Sequence, residues 1–250
     1  MNIIKWFNTI SSPQRFYFFC EKWIPWLTLL FLLFLIPGLY GGLVMAPADY
    51  QQGDAFRIIY VHVPAAWMSL FIYIVMAVQA IIVLVWRIKI SEMIVISSAS
   101  IGAGFTFIAL VTGSLWGKPM WGTWWTWDAR LTSELILLFI YLGIIMLYSA
   151  YDDKRTASRA IAILTLVGVV NIPIIHYSVV WWNTLHQGAT VSKLDKPSIA
   201  VEMLIPLLLM AIAFKLYYLL ALFQRVKVEI LNREFNSRWA KNLAKERVYD

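Results

Sequence analysis

Residues 58–86 read IIYVHVPAAWMSLFIYIVMAVQAIIVLVW and contain no Asp, Glu, Lys or Arg. A membrane-spanning helix needs about 20 predominantly apolar residues, so this stretch is long enough to cross a bilayer. Comparable uncharged runs cover residues 23–48, 93–117, 135–151 and 160–192. The 250-residue chain is 61% hydrophobic and only 14% charged, against roughly 25% charged in soluble domains. The sequence therefore predicts an all-α polytopic membrane protein.

A sixth span is predicted at residues 199–222, which are apolar apart from Glu202 and Lys215. Lys215 lies near the end of this run, where its long stem can carry the charge to the interface. The run 160–192 is too long for one helix, and we expect it to leave the membrane near residue 182. We expect a single membrane domain over residues 1–250. Its predicted parts are helices at 23–45, 62–85, 93–114, 133–150, 160–182 and 199–222, a connecting segment at 115–132 and a basic tail at 223–250.

The distribution of Lys and Arg predicts the orientation. One side of the predicted spans carries 15 of these residues, seven of them in the tail, whereas the other side carries five: Arg57, Lys118, Arg130, Lys193 and Lys196. The positive-inside rule places both termini in the cytoplasm and segment 115–132 in the periplasm. An odd number of spans would put the basic tail outside. The net charge of +7 is therefore interpreted as a topology signal, and no nucleic-acid partner is expected.

Several function classes lack their motifs. The single cysteine, Cys20, provides no disulfide within the chain, no CxxC redox pair and no CxxCH haem-attachment site. A phosphate-binding loop of the Walker A type is absent from the sequence, so we expect no ATP hydrolysis by this chain and no enzymatic activity of its own. The N-terminus does not have the layout of a cleaved signal peptide.

Three unusual features fall on the predicted periplasmic side. His62 lies at the mouth of the second span, in YVHVPAAW, and His186 lies in WWNTLHQG after the fifth span. Between the third and fourth spans, residues 116–132 read WGKPMWGTWWTWDARLT. This segment holds five tryptophans within twelve residues, followed at once by an acid and a base: Trp116, Trp121, Trp124, Trp125, Trp127, Asp128 and Arg130.

Two histidines beside a group of indoles suit haem. Zinc normally takes three or four protein ligands, whereas a haem iron needs only two axial ligands because the macrocycle supplies four nitrogens. Indoles offer large apolar faces for a flat porphyrin. The anionic propionates favour Arg or Lys, and Arg57, Lys118 and Arg130 are predicted on the same side.

Each of these features also has a structural interpretation. Tryptophans form belts at membrane interfaces, and a histidine at a helix mouth is often a satisfied polar residue. His176, inside the fifth span, is expected to hydrogen-bond to a neighbouring helix rather than to bind a ligand. Asp128 either caps the fourth helix or pairs with Arg130.

The stretch WGKPMWGTWWTWDARLTS at 116–133 resembles the WWD signature of haem-handling proteins. Together with NIPIIHYSVVWWNTLHQG at 171–188 and YVHVPAAW at 60–67, it makes the chain similar to the CcmC family of the multi-subunit cytochrome c maturation pathway. The similarity extends over nearly the whole chain and includes the six-helix layout.

The resemblance implies a haem b site at the periplasmic face of the bacterial inner membrane, with His62 and His186 as axial ligands. It implies a platform made by the WWD residues Trp116, Trp121, Trp124, Trp125, Trp127 and Asp128, with Arg130 beside it. The implied partners are the periplasmic haem chaperone CcmE, the ABC transporter subunits CcmA and CcmB, and the small membrane protein CcmD.

Two functions remain open at this stage. In the first, the chain presents haem to the chaperone. In the second, it is a permease-type subunit that conducts haem or another solute across the bilayer. A conduit needs polar positions along several spans, whereas the candidate residues here cluster at one face. The sequence therefore favours presentation.

Overall fold

The structure is a computed structural model that describes residues 12–182, 184–186, 191 and 196–249, with side chains up to residue 245. Within these ranges the regular structure is helical, apart from an isolated bridge between Asp49 and Gly53. Six helical segments are long and apolar enough to cross a membrane. The prediction of an all-α polytopic protein with six spans is confirmed.

The helices are α1 Pro13–Tyr40, α2 Ile59–Trp86, α3 Lys89–Trp121, α4 Ala129–Ser149, α5 Lys154–Gly168, α6 Asn171–Trp181, α7 Val201–Arg233 and α8 Arg238–Tyr249. A π-helical turn, Gly41–Met45, extends α1, and a 3-10 turn, Asp54–Ile58, leads into α2. Helices α5 and α6 together make the fifth span. The sixth span is α7, and the chain therefore returns to the side on which α1 starts.

Several helices are longer than their uncharged cores. Helix α1 begins at Pro13 rather than at residue 23, and α7 ends at Arg233 rather than at 222. The expected basic tail is therefore largely helical, as the end of α7 followed by α8. These extensions contain charged side chains that form ion pairs between helices. For example, Lys227 of α7 contacts Glu21 of α1 at 3.1 Å. An uncharged run predicts the part of a helix that crosses the bilayer, not the whole helix.

The connecting segment 115–132 is also shorter than expected. Helix α3 continues to Trp121, so its last turns include Trp116 and Lys118, and α4 begins at Ala129 rather than at residue 133. Asp128 is the N-cap of α4, and its Oδ1 accepts a hydrogen bond from the Leu131 amide at 2.8 Å. Pro119 does not end α3, because a proline near the end of a helix removes only one backbone hydrogen bond.

Helix α3 is the most buried of the six spans and α1 the least buried. Helix α3 packs tightly on α4 where Gly102 lies against the ring of Tyr141, so closely that a Cβ atom there would overlap the ring. Tyr141 is itself fully buried and donates a hydrogen bond to the Ser69 carbonyl of α2 at 2.8 Å. The centre of the bundle is therefore a close contact of α2, α3 and α4.

The fifth span is broken between α5 and α6. Gly168 ends α5 at a point where a side chain would collide with the Tyr73 hydroxyl. Asn171 restarts the helix, and its buried side-chain amide donates to the Ser133 carbonyl of α4 at 2.9 Å.

At the other end of α5, the side chain and the backbone amide of Thr156 donate to Asp153, and these hydrogen bonds hold the pKa of that carboxyl below its ordinary value.

At the end of the bundle where α3 begins, a buried ionic network joins four helices. Arg233 of α7 donates to Glu92 of α3 and to Glu229, both at 2.7 Å. It also donates to Tyr148 of α4 at 2.9 Å and to Ser158 of α5 at 3.2 Å. Tyr148 in turn donates to Glu229. We call these five residues the Arg233 network.

Candidate functional site

A cavity of about 810 Å³ lies at the opposite end of the bundle, where α2 and α4 begin and α3 ends. This volume is within the range of about 300–1,000 Å³ typical of small-molecule and cofactor sites. The wall contains the three histidines of the sequence, His62, His176 and His186, together with Arg130 and Glu134. We call this space the histidine cavity.

His62 is held in one tautomer. Its side chain is buried in the first turns of α2, and its Nδ1 lies 3.0 Å from both the Ala109 carbonyl and the Thr112 hydroxyl of α3. A carbonyl only accepts hydrogen bonds, so Nδ1 carries the proton and Nε2 keeps a lone pair. This arrangement is typical of a histidine whose other nitrogen binds a metal.

Gly113 makes room for this ring. A Cβ atom at position 113 would lie 3.0 Å from Cε1 of His62. A larger residue in this turn of α3 would therefore push the imidazole away from the Ala109 carbonyl. The glycine is required here because α2 and α3 approach closely, not because of a turn in the backbone.

His186 comes from the segment after α6 and lies next to His62 in the histidine cavity. Their ring centres are 6.3 Å apart, with the planes inclined by 36°. A metal–imidazole bond is about 2 Å long, so two imidazoles on opposite sides of one iron have their centres roughly 6 Å apart. The spacing of the two histidines therefore fits a shared haem iron.

The tryptophans divide into two groups. Trp116 meets the His62 ring edge-on at 5.6 Å, and its indole nitrogen donates to Gln52 at 2.8 Å. Trp121 lies 6.3 Å from the ring of His186, and both indoles line the histidine cavity. The structure thus brings Trp116 and Trp121 to the histidine pair.

The other three tryptophans lie outside the cavity wall. Trp124 and Trp127 are 55% and 78% exposed. Trp125 packs against Trp127 with ring centres 5.4 Å apart, and both line a separate apolar groove between α3 and α4. These three indoles form an outer surface at the same end of the bundle, which we call the outer indole surface.

Of the three expected partners for haem carboxylates, Arg130 is the one that lines the cavity. Its Nη1 donates to the Ile175 carbonyl of α6 at 2.7 Å. Arg57 is engaged by Asp54 at 2.9 Å and by the Gly42 carbonyl at 3.0 Å. Lys118 donates to the Gly122 carbonyl at 3.0 Å and lies over the ring of Trp124.

Asp128 has the structural role that the sequence left open, since its side chain caps α4. Among the ion pairs of the described residues, a contact between Asp128 and Arg130 within 4.0 Å does not occur. The capping carboxylate fixes the start of α4. Arg130, in the first turn of that helix, is thereby placed at the cavity.

Three further residues line the cavity that the sequence did not assign to the site. Gln52 precedes the second span and was indistinguishable from an ordinary loop residue. His176 was expected to bond to another helix, but it is exposed to the cavity and packs on the ring of Tyr177 at 4.7 Å. Glu134 follows Arg130 by four residues, a spacing that puts both on one helix face. This spacing in the sequence is enough to predict that Glu134 lies near Arg130.

The chain was compared with known proteins. The family profile described as CcmC, Heme exporter protein C, matches residues 6–241. Heme exporter protein C of Haemophilus influenzae is 51% identical over 96% of this chain and 98% of the relative. Heme exporter protein C of Escherichia coli K12 is 60% identical over 74% of this chain and 76% of the relative.

A putative cytochrome c biosynthesis ccmC-like mitochondrial protein of Marchantia polymorpha is 49% identical over 70% of this chain and 74% of the relative. The family profile covers nearly the whole sequence, and the relatives match over most of their own length. The resemblance seen in the sequence is confirmed, and the chain belongs to the CcmC family of membrane proteins, described as Heme exporter protein C.

Proposed function

We propose that this protein binds haem as cargo at the periplasmic face of the bacterial inner membrane and presents it to a periplasmic haem chaperone during cytochrome c maturation. Its iron is held by the Nε2 atom of His62 and by His186. Arg130 receives a haem carboxylate, and Trp116 and Trp121 contact the porphyrin. The bound group is haem b, which needs no covalent link to the chain.

One observation carries this proposal. Two imidazoles with ring centres 6.3 Å apart line one cavity of about 810 Å³, and the buried one has its Nδ1 proton committed to a carbonyl. The donor set fits haem because the porphyrin supplies four of the six nitrogens. Within the described residues, three or more His, Cys, Asp or Glu do not come together as a purely protein-made metal site.

The periplasmic location rests on the charge distribution and on the family. In the topology predicted from the sequence, 15 of the Lys and Arg residues fall on the same side as both termini, and the positive-inside rule makes that side cytoplasmic. The names of the relatives, Heme exporter protein C and putative cytochrome c biosynthesis ccmC-like mitochondrial protein, agree with a role in haem handling. The proposed partners are a chaperone of the CcmE type, transporter subunits of the CcmA and CcmB types, and CcmD.

The outer indole surface is the proposed contact for the chaperone. It lies beside the histidine cavity but does not line it, and Trp127 is 78% exposed. Exposed tryptophans are frequent anchors of protein interfaces. Cargo held by Trp116 and Trp121 and a partner held by Trp124 and Trp127 are thus brought together at one end of the bundle.

A conduit through the bilayer is less well supported. The polar side chains deeper in the bundle bond to one another or to the backbone, as Tyr73 does to the Thr165 carbonyl and Ser98 does to Tyr218, both at 2.9 Å. Such pairs stabilise a packed interior. At the far end of the bundle, the Arg233 network joins four helices through direct hydrogen bonds.

The optical spectrum of the purified protein tests the ligand assignment. We expect a six-coordinate, bis-imidazole haem in the unaltered protein and loss of this signature in His62→Ala and in His186→Ala. His176→Ala is the matched control, because it removes an imidazole from the same cavity wall and should leave the signature in place. Retention of the bis-imidazole spectrum in His62→Ala would contradict the proposal.

Thiol labelling tests the orientation. Cysteine introduced at Tyr50, which is 90% exposed between α1 and α2, should react with an impermeant reagent in spheroplasts. Cysteine at the exposed Asp152, between α4 and α5, should react only after the membrane is opened. The native Cys20 is fully buried and gives a low background. The reverse labelling pattern would overturn the assigned orientation.

A further inference from the structure

A buried carboxylate in the histidine cavity has no role in the proposed haem ligation. Glu134 of α4 is 7% exposed and lines the cavity. Its Oε1 accepts a hydrogen bond from the Ser69 hydroxyl of α2 at 2.7 Å. Ser69 lies seven residues after His62, two helical turns deeper along α2. Burying a carboxylate raises the free energy of the folded state unless a cation or a hydrogen-bond donor is nearby. We therefore expect a cation close to Glu134 at the inner end of the cavity.

The partner is Arg130. Residues 130 and 134 are one helical turn apart on α4 and are neighbours on its surface. Both side chains also line the histidine cavity. A guanidinium is always charged, and a partly buried one needs a nearby negative charge. Glu134 supplies that charge when the cavity holds no anion.

The pair is nevertheless not locked together. Among the ion pairs of the described residues, Arg130 and Glu134 do not come within 4.0 Å. Arg130 is held by the Ile175 carbonyl and Glu134 by the Ser69 hydroxyl. A guanidinium has five N–H donors, so donors remain for a carboxylate that arrives through the cavity.

We propose that Glu134 is a positioning residue that competes with a haem carboxylate for Arg130 and so keeps the cargo releasable. This inference rests on the proposed haem function. A haem carboxylate at Arg130 lies near a second negative charge, and like charges around one cation weaken each other's binding. Glu134 therefore lowers haem retention without touching the iron, and the apoprotein keeps Arg130 neutralised after haem has left.

Glu134→Gln tests the competition, because the amide keeps the shape and an oxygen for Ser69 but removes the charge. We expect haem transfer from the purified protein to excess apomyoglobin to slow by at least about threefold, with the bis-imidazole spectrum unchanged. Ser69→Ala should act in the opposite direction, because it releases Glu134 toward Arg130. Glu202→Gln is the matched control, since Glu202 is exposed at the start of α7 and should have no effect.

A double-variant cycle tests whether the effect passes through Arg130. Glu134→Gln should have less than half of its effect in an Arg130→Ala background. An effect that persists there in full would overturn the competition, as would haem transfer from Glu134→Gln at the unaltered rate. Slower transfer is informative because a merely damaged cavity would lose haem faster. Thermal unfolding in detergent identifies any variant that does not fold.

A third test uses iron porphyrin dimethyl ester, whose two carboxyl groups are esterified and therefore carry no charge. With this probe Glu134→Gln should release the porphyrin at the unaltered rate, and a slower release would contradict the competition. The proposed function fails separately, if the unaltered protein gives no bis-imidazole spectrum with haem. If the unaltered protein shows that spectrum but Glu134→Gln does not change the rate of haem transfer, only this inference is overturned.

Discussion

Two arginines at opposite ends of the bundle have very different surroundings. Arg233 contacts two carboxylates and two hydroxyls from four helices, and its side chain is only 12% exposed. Arg130 donates to one backbone carbonyl and otherwise faces the histidine cavity. The difference indicates that a guanidinium whose donors are used within the protein stabilises the fold, whereas one with donors left over is suited to bind a ligand.

The same helix contributes to both ends. Helix α4 provides Arg130 and Glu134 near its start and Tyr148 near its end. At the start, the charged groups are held back from each other by Ile175 and Ser69. At the end, Tyr148 bonds to Arg233, whose guanidinium is in direct contact with the carboxylates of Glu92 and Glu229. The Arg233 network therefore stabilises the fold, whereas Arg130 keeps hydrogen-bond donors for a ligand in the histidine cavity.

The largest expected effect is on the closed network. Arg233→Met leaves the carboxylates of Glu92 and Glu229 without their cation, and breaking a buried pair in this way costs about 3–5 kcal/mol. Thermal unfolding in detergent should show this loss, while the protein that remains folded keeps its haem spectrum. Arg225→Met, at an exposed position of the same helix, should change stability by less than about 0.5 kcal/mol.

The two groups of tryptophans give the next effect. Replacing both Trp116 and Trp121 by Leu should speed haem loss by about 10- to 100-fold, since each aromatic contact contributes about 0.5–1.5 kcal/mol. Replacing Trp124 and Trp127 by Leu should leave haem loss unchanged and weaken co-purification of the haem-loaded chaperone. Equal effects of the two pairs on haem loss would remove the distinction between cavity and outer indole surface.

Arg130→Ala should have a smaller effect on haem. We expect haem loss to speed by about 5- to 10-fold, because a charge-assisted hydrogen bond to a carboxylate is removed. The bis-imidazole spectrum should remain, because the iron ligands are untouched. Haem transfer to apomyoglobin measures the rate. Unchanged retention in Arg130→Ala would place this arginine with Arg233, as a structural group.

The smallest effect concerns the ring of His62. Gly113→Ala places a Cβ atom 3.0 Å from Cε1 of His62, so the ring must shift by a few tenths of an ångström. We expect a small shift of the haem absorption bands and haem loss faster by no more than about threefold. Gly104→Ala is the control on the same helix, because a Cβ there meets nothing within 4 Å. Identical spectra for both variants would contradict the tight fit at Gly113.

The sequence by itself determined the fold class and the six spans. Long uncharged runs such as 58–86 report directly on burial in a bilayer, because a backbone in lipid must bond within its own helix. The distribution of Lys and Arg likewise predicts the orientation, since each loop contributes independently of the packing. The resemblance to the CcmC family also predicts His62 and His186 as a pair of ligands, and the structure places their rings 6.3 Å apart.

Only the tertiary structure decided how the site is divided. The five tryptophans are neighbours in sequence, but the end of α3 at Trp121 and the start of α4 at Ala129 direct two of them to the cavity and three away from it. Glu134 and His176 stand in spans that predict lipid or core contacts, yet both face the cavity. Side-chain directions depend on contacts such as that of Arg130 with the Ile175 carbonyl, which joins residues of two helices that no periodicity in the sequence relates.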